Sequence, residues 1–238
     1  MSQVDYKLEG NVAVVTLQGG ENRFNPDFLN DYLNVLDEIE NKTDAVTMVV
    51  TSGHEKIFSN GIDLDWLFPI IQQKDVHQSK SFFYLLNRMF KRTLTFPLIT
   101  IAAMNGHAFA GGAIWSCAFD FRFMRSDRGY FCFPEANLNI PFLPGMIGLL
   151  QKAIPRQIME EMVYTGIRLT AAQCLEHHIV KEACLNDQLM QRTMIFASSL
   201  NKNRAYIREM RHRLYKDIIH AFEIEDVIYI ESERFNVG

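Results

Sequence analysis

The sequence predicts an α/β fold that gives way to a helical C-terminal region, and three observations carry that prediction. Segments rich in β-branched residues alternate with helix-period segments over the first two thirds of the chain, and helical patterns alone follow. Of the 238 residues, 48% are hydrophobic and 22% charged, with 7 Pro and 13 Gly, the balance of a chain that buries a core. No internal repeat, low-complexity tract or Pro/Ser-rich linker divides it into separate bodies.

The elements follow in order. Residues 12–17 (VAVVTL) form the first expected strand, closed by the turn chemistry of Gly19, Gly20 and Asn22. A helix is expected from Pro26, because Phe28, Leu29, Tyr32, Leu33, Leu36 and Ile39 recur at the spacing of a buried helical face and proline suits a first turn. Residues 45–51 are nearly all apolar, as in a strand covered on both faces. Residues 58–64 then interrupt the pattern and lead into a helix. A polar helical region over 79–96 precedes Pro97 and a strand at 98–103. Asn105 and Gly106 turn the chain, and Ala110, Gly111 and Gly112 open an apolar helix that runs to about Phe119. Strands are expected at 121–125 and 130–133, and everything beyond reads as helical, including 158–166, 170–178 and a basic, then acidic, C-terminal segment.

Charge and cysteine usage exclude several function classes. Lys plus Arg is 24 against 28 for Asp plus Glu, a net charge of −4, which removes any general electrostatic case for nucleic acid or an anionic membrane. Cys117, Cys132, Cys174 and Cys184 form no CxxC pair that would suggest zinc or a redox dithiol, and they read as reduced thiols of a cytoplasmic protein. No apolar run reaches membrane-spanning length, residues 1–17 lack the signal-peptide pattern, and residues 233–238 (ERFNVG) carry no retention or peroxisomal tripeptide.

Three places depart from core patterning. Residues 58–64 (FSNGIDL) place Gly61 in a loop of the kind that exposes backbone N–H groups. Residues 105–112 (NGHAFAGG) deliver two glycines to a helix start, where unpaired N–H groups and the helix dipole favour negative charge. Residues 131–135 (FCFPE) set Glu135 among aromatic and apolar neighbours, where desolvation would raise its pKa and make it a better proton acceptor. Taken singly, each has an ordinary reading: a surface loop, a tight packing contact, an exposed helix start. Their conjunction is informative.

That conjunction resembles the crotonase superfamily, the enoyl-CoA hydratase/isomerase group. Residues 58–64 match its F-x-x-G-x-D-[LI] pattern, and residues 105–112 match N-G-x-A-x-G-G-G with Ala110 in place of the first glycine. Pro134-Glu135 leads to Pro144-Gly145 as the family's third motif does, and residues 165–180 match T-G-x-x-[LIF]-x-A-x-x-A-x-x-x-G-[LI]-V, with Cys174 for an alanine and His178 for the glycine. The resemblance implies a crotonase-type spiral of ββα units over residues 1–185 and a C-terminal helical region over 186–238 that helps form a homotrimer or a dimer of trimers.

It also implies roles. In the family, backbone N–H groups at the positions of Ile62 and Gly111 form an oxyanion hole for the carbonyl of an acyl-CoA thioester. Hydratases of the family use two glutamates; aligning the glycines places Ile114 at the first and Glu135 at the second. A single carboxylate matches the Δ3,Δ2-enoyl-CoA isomerases, in which one base moves a proton from C2 to C4. Dienoyl-CoA isomerases carry an Asp eight residues after that Glu, where this chain has Leu143. The N-R-F-x-P-D segment from Asn22 and the F-M-R-x-D-R-G segment from Phe123 resemble the single-glutamate members as well. Arg23, Asn25, Ser59, Asn60, Gly61, Asp63, Gly112, Ile114 and Leu143 are the implied substrate-binding positions, and no cofactor or metal is implied, CoA being part of the substrate. Another acyl-CoA reaction of the family (hydration, decarboxylation or thioester hydrolysis) and a non-catalytic acyl-CoA-binding role are the alternatives.

Other candidates take plainer readings. His177 and His178 with Glu176 and Glu182 look metal-like, but adjacent helical histidines point about 100° apart. His107 is a candidate pocket residue whose default is a packed histidine. The run Lys202, Arg204, Arg208, Arg211, Arg213 and Lys216 reads as a solvated helix face, to which the resemblance adds contact with the CoA phosphates. The acyl-tail pocket is expected from the packing of residues 66–83.

Overall fold

A computed structural model describes residues 2–234; residues 235–238, part of the C-terminal stretch read above for targeting signals, lie outside the described residues. The chain begins with β1 (Val4–Glu9), β2 (Val12–Leu17), β3 (Arg23–Phe24), α1 (Pro26–Lys42), β4 (Thr47–Ser52), β5 (Ile57–Ser59), β6 (Gly61–Ile62), α2 (Leu64–Gln72) and α3 (Val76–Leu94). It continues through β7 (Ile99–Met104), β8 (His107–Phe109), α4 (Gly111–Ser116), β9 (Phe121–Arg125), β10 (Phe131–Cys132), a 3-10 turn (Pro134–Asn137), α5 (Pro144–Ala153) and α6 (Arg156–Thr165). The remainder is β11 (Arg168–Leu169), α7 (Ala171–Glu176), β12 (Glu182–Cys184), α8 (Asn186–Ser199), α9 (Arg204–Leu214), α10 (Lys216–His220), a π-helical segment (Ala221–Glu225) and α11 (Asp226–Glu231). Among the described residues, no helix is long and apolar enough to cross a membrane.

The strands form one sheet of order β1-β2-β4-β7-β9-β12, a second of order β11-β10-β8-β5, and a two-stranded pair of β3 with β6. Among the described residues, only the pairs β1–β2 and β10–β11 run antiparallel. Consecutive strands divide between the sheets: β4 joins the first and β5 the second, and β7 and β8, then β9 and β10, do the same. Each such pair is followed by a helix or helical turn. The chain therefore advances as a spiral of ββα units.

Three expectations need correction. The region past β10 was expected to be helical throughout, yet β11 pairs with β10 and β12 extends the main sheet beside β9. Strands of two and three residues are too short to show a period, so only their partners reveal them. β1 was not expected either: its VDYKLE pattern is mostly exposed and becomes a strand by pairing with β2 across the turn at Gly10. The helix expected to be polar, α3, buries Phe82, Phe83, Leu86, Met89, Phe90 and Leu94, which makes it a wall of the interior.

The main sheet is covered on both faces, which explains its near-continuous apolar strands. Ala13, Val15 and Leu17 of β2 point into the larger core, whereas Val12 and Val14 point into a smaller one completed by Leu189 and Ala197 of α8. At the centre of the larger core lies Trp115 of α4, in ring contact with Phe24, Tyr32, Phe58 and Phe119 at centroid distances of 5.0–5.8 Å. Its indole N–H donates to the Thr93 hydroxyl at 3.1 Å; that hydroxyl lies 3.1 Å from the Tyr32 hydroxyl and donates to Met89 O. One hydroxyl of α3 thus satisfies polar atoms of two buried rings and fixes α4 against α3.

Replacing Thr93 by Val keeps the volume and orphans both rings' polar atoms, each at about 1–3 kcal/mol. Thr93→Val should lower stability by about 3 kcal/mol in urea unfolding, and Thr93→Ser, which keeps the hydroxyl, should lose less than half of that. Equal losses would assign the effect to packing instead.

Candidate active site

Two backbone segments meet at the site. β6 follows a left-handed Gly61 (φ +74°), and α4 begins at Gly111. A Cβ on Gly61 would collide with Gly111 N, and one on Gly112 would collide with Ser59 O. A Cβ on Gly111 would lie 3.4 Å from Ile62 N and 3.2 Å from the Gly61 Cα. Glycine at these positions allows peptide-to-peptide approach, which brings the N–H groups of Ile62 and Gly111 to one place. Ala110, standing where a glycine was expected, adopts φ 50° and ψ −130°, a conformation that costs an alanine of order 1–3 kcal/mol. Its N–H bonds to Cys132 O at 3.0 Å, which ties this kink to β10.

Beside this junction opens an apolar cavity of about 220 Å³, and the predicted residues Asn60, Ile62, Gly111, Ile114, Glu135 and Leu143 all line it. Glu135 sits on the 3-10 turn after β10, with 7% of its surface exposed, and its Oε2 has no hydrogen-bond partner. Burial pushes its carboxyl up to about 7, with its own backbone N–H pulling weakly the other way. Ile114, one turn into α4, is 2% exposed and contributes only hydrocarbon to the same cavity. The site therefore holds one buried carboxyl beside a close approach of two backbone segments, in an apolar surround.

The other predicted residues stand behind the cavity. Asn25 caps α1, accepting from Phe28 N at 3.0 Å, and donates to Asp63 at 3.3 Å. Ser59 is fully buried; its hydroxyl donates to Asn22 O at 2.7 Å and accepts from Gly61 N at 3.2 Å, which shapes the loop rather than the lining. Gly61 and Gly112 provide the close approach described above. Arg23 lies against three carboxylates, Glu21 at 2.7 Å, Asp65 at 2.6 Å and Asp63 at 3.8 Å, so its charge is already matched.

The basic C-terminal run is a solvated face only in part: Lys202, Arg208, Arg213 and Lys216 are exposed, whereas Arg204 and Arg211 turn inward. Arg211 is buried and donates to Leu94 O, Leu98 O and Asp120 Oδ2 at 2.5–2.6 Å. Arg204 donates to the carbonyls of Ala45, Glu40 and Thr43 around the end of α1, and Arg208 pairs with Glu40 at 2.7 Å. These guanidinium groups tie α9 to the sheet and to α1, and helical periodicity alone could not reveal their carbonyl partners. Lys202 and Lys216 are exposed, and Arg213 pairs with Glu209. His107 lies outside the cavity lining, between the Phe109 and Tyr130 rings, and its Nδ1 accepts from Tyr130 N at 3.3 Å. Burial, reinforced by Arg168 and Arg128, holds its pKa below the ordinary value. Among the described residues, no group of three or more His, Cys, Asp or Glu is arranged to hold a metal ion.

Sequence reading missed most of the apolar lining: Leu86 and Phe90 of α3, Phe109 of β8, Met146 of α5, and Leu138, Ile140 and Phe142 between them. Of the stretch expected to form the tail pocket, Phe83 lines it, whereas Trp66 packs on Phe82 at 5.1 Å. The spacing 83, 86, 90 was the available signal, a stripe on one face of a helix.

Comparison with known proteins shows the family and the fold. The sequence model of the family described as enoyl-CoA hydratase/isomerase matches residues 7–236. Enoyl-CoA delta isomerase 3 of Arabidopsis thaliana is 31% identical over 183 residues, 73% of this chain and 74% of that protein. A short-chain-enoyl-CoA hydratase of Clostridium acetobutylicum is 26% identical over 239 residues, covering 99% of this chain and 88% of that one. A probable enoyl-CoA hydratase of Mycobacterium tuberculosis has the same fold, with TM-score 0.87 at 18% identity over 98% of this chain and 96% of that one.

The buried carboxyl makes a thermodynamic prediction. A carboxyl held at about 7 instead of 4.5 binds its proton more tightly when folded, so its contribution is fully present below pH 4.5 and is lost as pH rises through 7. That loss amounts to about 3 kcal/mol. Glu135→Gln, which cannot ionise, should gain on wild type by about that amount between pH 4 and pH 8 in paired unfolding curves. A gap that does not change with pH would mean that Glu135 is better solvated than its burial implies.

Proposed function

Because the chain belongs to the enoyl-CoA hydratase/isomerase family, we propose that it converts 3-enoyl-CoA to trans-2-enoyl-CoA in fatty-acid metabolism. The observation that carries this reading is the single buried carboxyl of Glu135, one oxygen of it unpartnered, in an apolar cavity where Ile114 stands at the position of a second acid/base group. In the proposed reaction the thioester oxygen accepts hydrogen bonds from the N–H groups of Ile62 and Gly111. The Glu135 carboxylate removes a proton from C2; the electron pair delocalises through the C3–C4 double bond into a dienolate held by those donors. Glu135 then returns the proton to C4, and the double bond lies between C2 and C3. A carboxyl near 7 suits a base that must take and release a proton at neutral pH. Hydration needs a water held by two carboxyl groups, and Ile114 offers none.

The reading extends to assembly and location. Exposed Tyr206, Met210 and Leu214, spaced four apart on α9, give that helix an apolar face suited to a homotrimer or dimer of trimers, which light scattering will measure. Four buried free thiols fit the reducing cytoplasm. The hydratase reading keeps one observation in its favour, the named hydratase that aligns with nearly the whole chain.

Rates with 3-hexenoyl-CoA and crotonyl-CoA on one preparation separate the two. Isomerisation should exceed hydration by about 100-fold or more, the scale of one acid/base group. Comparable formation of 3-hydroxybutyryl-CoA would return the protein to the hydratases. Glu135→Gln should abolish isomerisation while binding of butyryl-CoA stays within a few-fold. The wild-type kcat/KM should fall about tenfold per pH unit below about 7 as the base protonates, and a flat acid limb would move the base elsewhere.

A further inference from the structure

The C-terminal helix lies along α3. Lys80, Tyr84, Asn87 and Lys91 fall on one face of α3 and meet, in reverse order, Glu231, Asp226 and Glu223. The outer contacts are exposed, and pairs of that kind contribute little. The central one is different. Asp226 is fully buried; its Oδ2 accepts from Asn87 Nδ2 and its Oδ1 from the backbone N–H of Gly145, both at 2.8 Å.

Gly145 lies in the first turn of α5, whose N–H groups have no intrahelical acceptor, so Asp226 caps α5 from a distant element. A Cβ on Gly145 would run into Phe222 and Asp226, which shows how closely the π-helical segment and α11 approach. Phe222 also reaches Phe90 at 6.5 Å between ring centroids. One carboxyl thus joins α3, α5 and α11. The first two are walls of the cavity, through Phe83, Leu86 and Phe90 on one side and Leu143 and Met146 on the other. Glu135 and Gly111 stand on neither.

We propose that Asp226 is a positioning residue that sets the spacing of the α3 and α5 walls and thereby the protein's preference for acyl-chain length. This rests on the acyl-CoA reading above and deepens it. With the clasp in place, each added methylene meets hydrocarbon on both walls, a gain of up to about fourfold in affinity. Without it, the walls part, the distal chain loses contact on one side, and the thioester end is untouched.

The test is the dissociation constants of butyryl-, hexanoyl-, octanoyl- and decanoyl-CoA, measured by calorimetry on the full chain and on Asp226→Ala, Asp226→Asn and the double exchange Asn87→Asp with Asp226→Asn. For wild type, affinity should climb with chain length. Asp226→Ala should bind butyryl-CoA within about twofold of wild type, while its gain per methylene drops to less than half of the wild-type factor. Asp226→Asn should keep the wild-type slope, because the Asn87 amide can turn its unpartnered Oδ1 to accept from the substituted side chain's Nδ2 while Gly145 N–H keeps an acceptor. The double exchange likewise leaves a carboxylate facing an amide that offers Gly145 N–H an acceptor, so it should also keep that slope; a merely structural role would shift all lengths alike. Parallel lines for wild type and Asp226→Ala, or a double exchange with a slope as low as that of Asp226→Ala, overturn the proposal. Should Asp226→Ala fail to fold, Asn87→Ala, which removes the α3 side of the clasp, decides in its place by the same reduced slope. Absence of saturable binding to any thioester by the wild-type chain would overturn the acyl-CoA reading itself, a result distinct from parallel slopes.

Discussion

The contact between two stretches of bare backbone, at Gly61 and at Gly111–Gly112, is the constraint on which the rest of the site depends. Peptide groups can pack this closely only where no side chain intervenes, and each of the flanking elements is held so that they do. Ser59 and Asn22 fix the first loop, Ala110 accepts a strained backbone to start α4, and Trp115 locks that helix into the aromatic core. A methyl group on Gly61 or Gly112 would drive the two segments apart and separate the Ile62 and Gly111 N–H groups. A main-chain N–H is also indifferent to the identity of its own side chain, so an isoleucine can stand at position 62 of this junction.

Against that fixed junction the fold maintains an unfavourable group. Glu135 lies in an apolar surround with one oxygen unpartnered, which opposes folding whenever the carboxyl is ionised. The compensation lies elsewhere, in the two cores on either face of the main sheet and in the tightly bonded trio of Trp115, Tyr32 and Thr93. A stable scaffold carrying one destabilised carboxyl is the arrangement expected where the group acts on a ligand instead of on the protein.

The C-terminal third contributes more to this scaffold than its exposed, charged appearance suggests. Arg211 and Arg204 bond to carbonyls at helix and strand ends, α8 covers the second face of the main sheet, and Asp226 joins α11 to both walls of the cavity. Charged side chains here satisfy backbone groups that would otherwise be buried without partners.

The sequence by itself determined the α/β class, the strands β2, β4, β7 and β9, the helix from Pro26, and the residues of the junction and its carboxyl. Periodicity, turn chemistry and glycine spacing are local properties, and Ile62, Gly111, Ile114 and Glu135 fall within short motifs. Tertiary structure alone decided the rest. β11 and β12 exist because β10 and β9 offer them edges, Arg211 is interior because carbonyls of α3 and β7's approach await it, and the hydrocarbon wall comes from α3, some fifty residues before Glu135. Burial and hydrogen-bond partners are relations between distant parts of the chain, and no local pattern encodes which distant group will arrive.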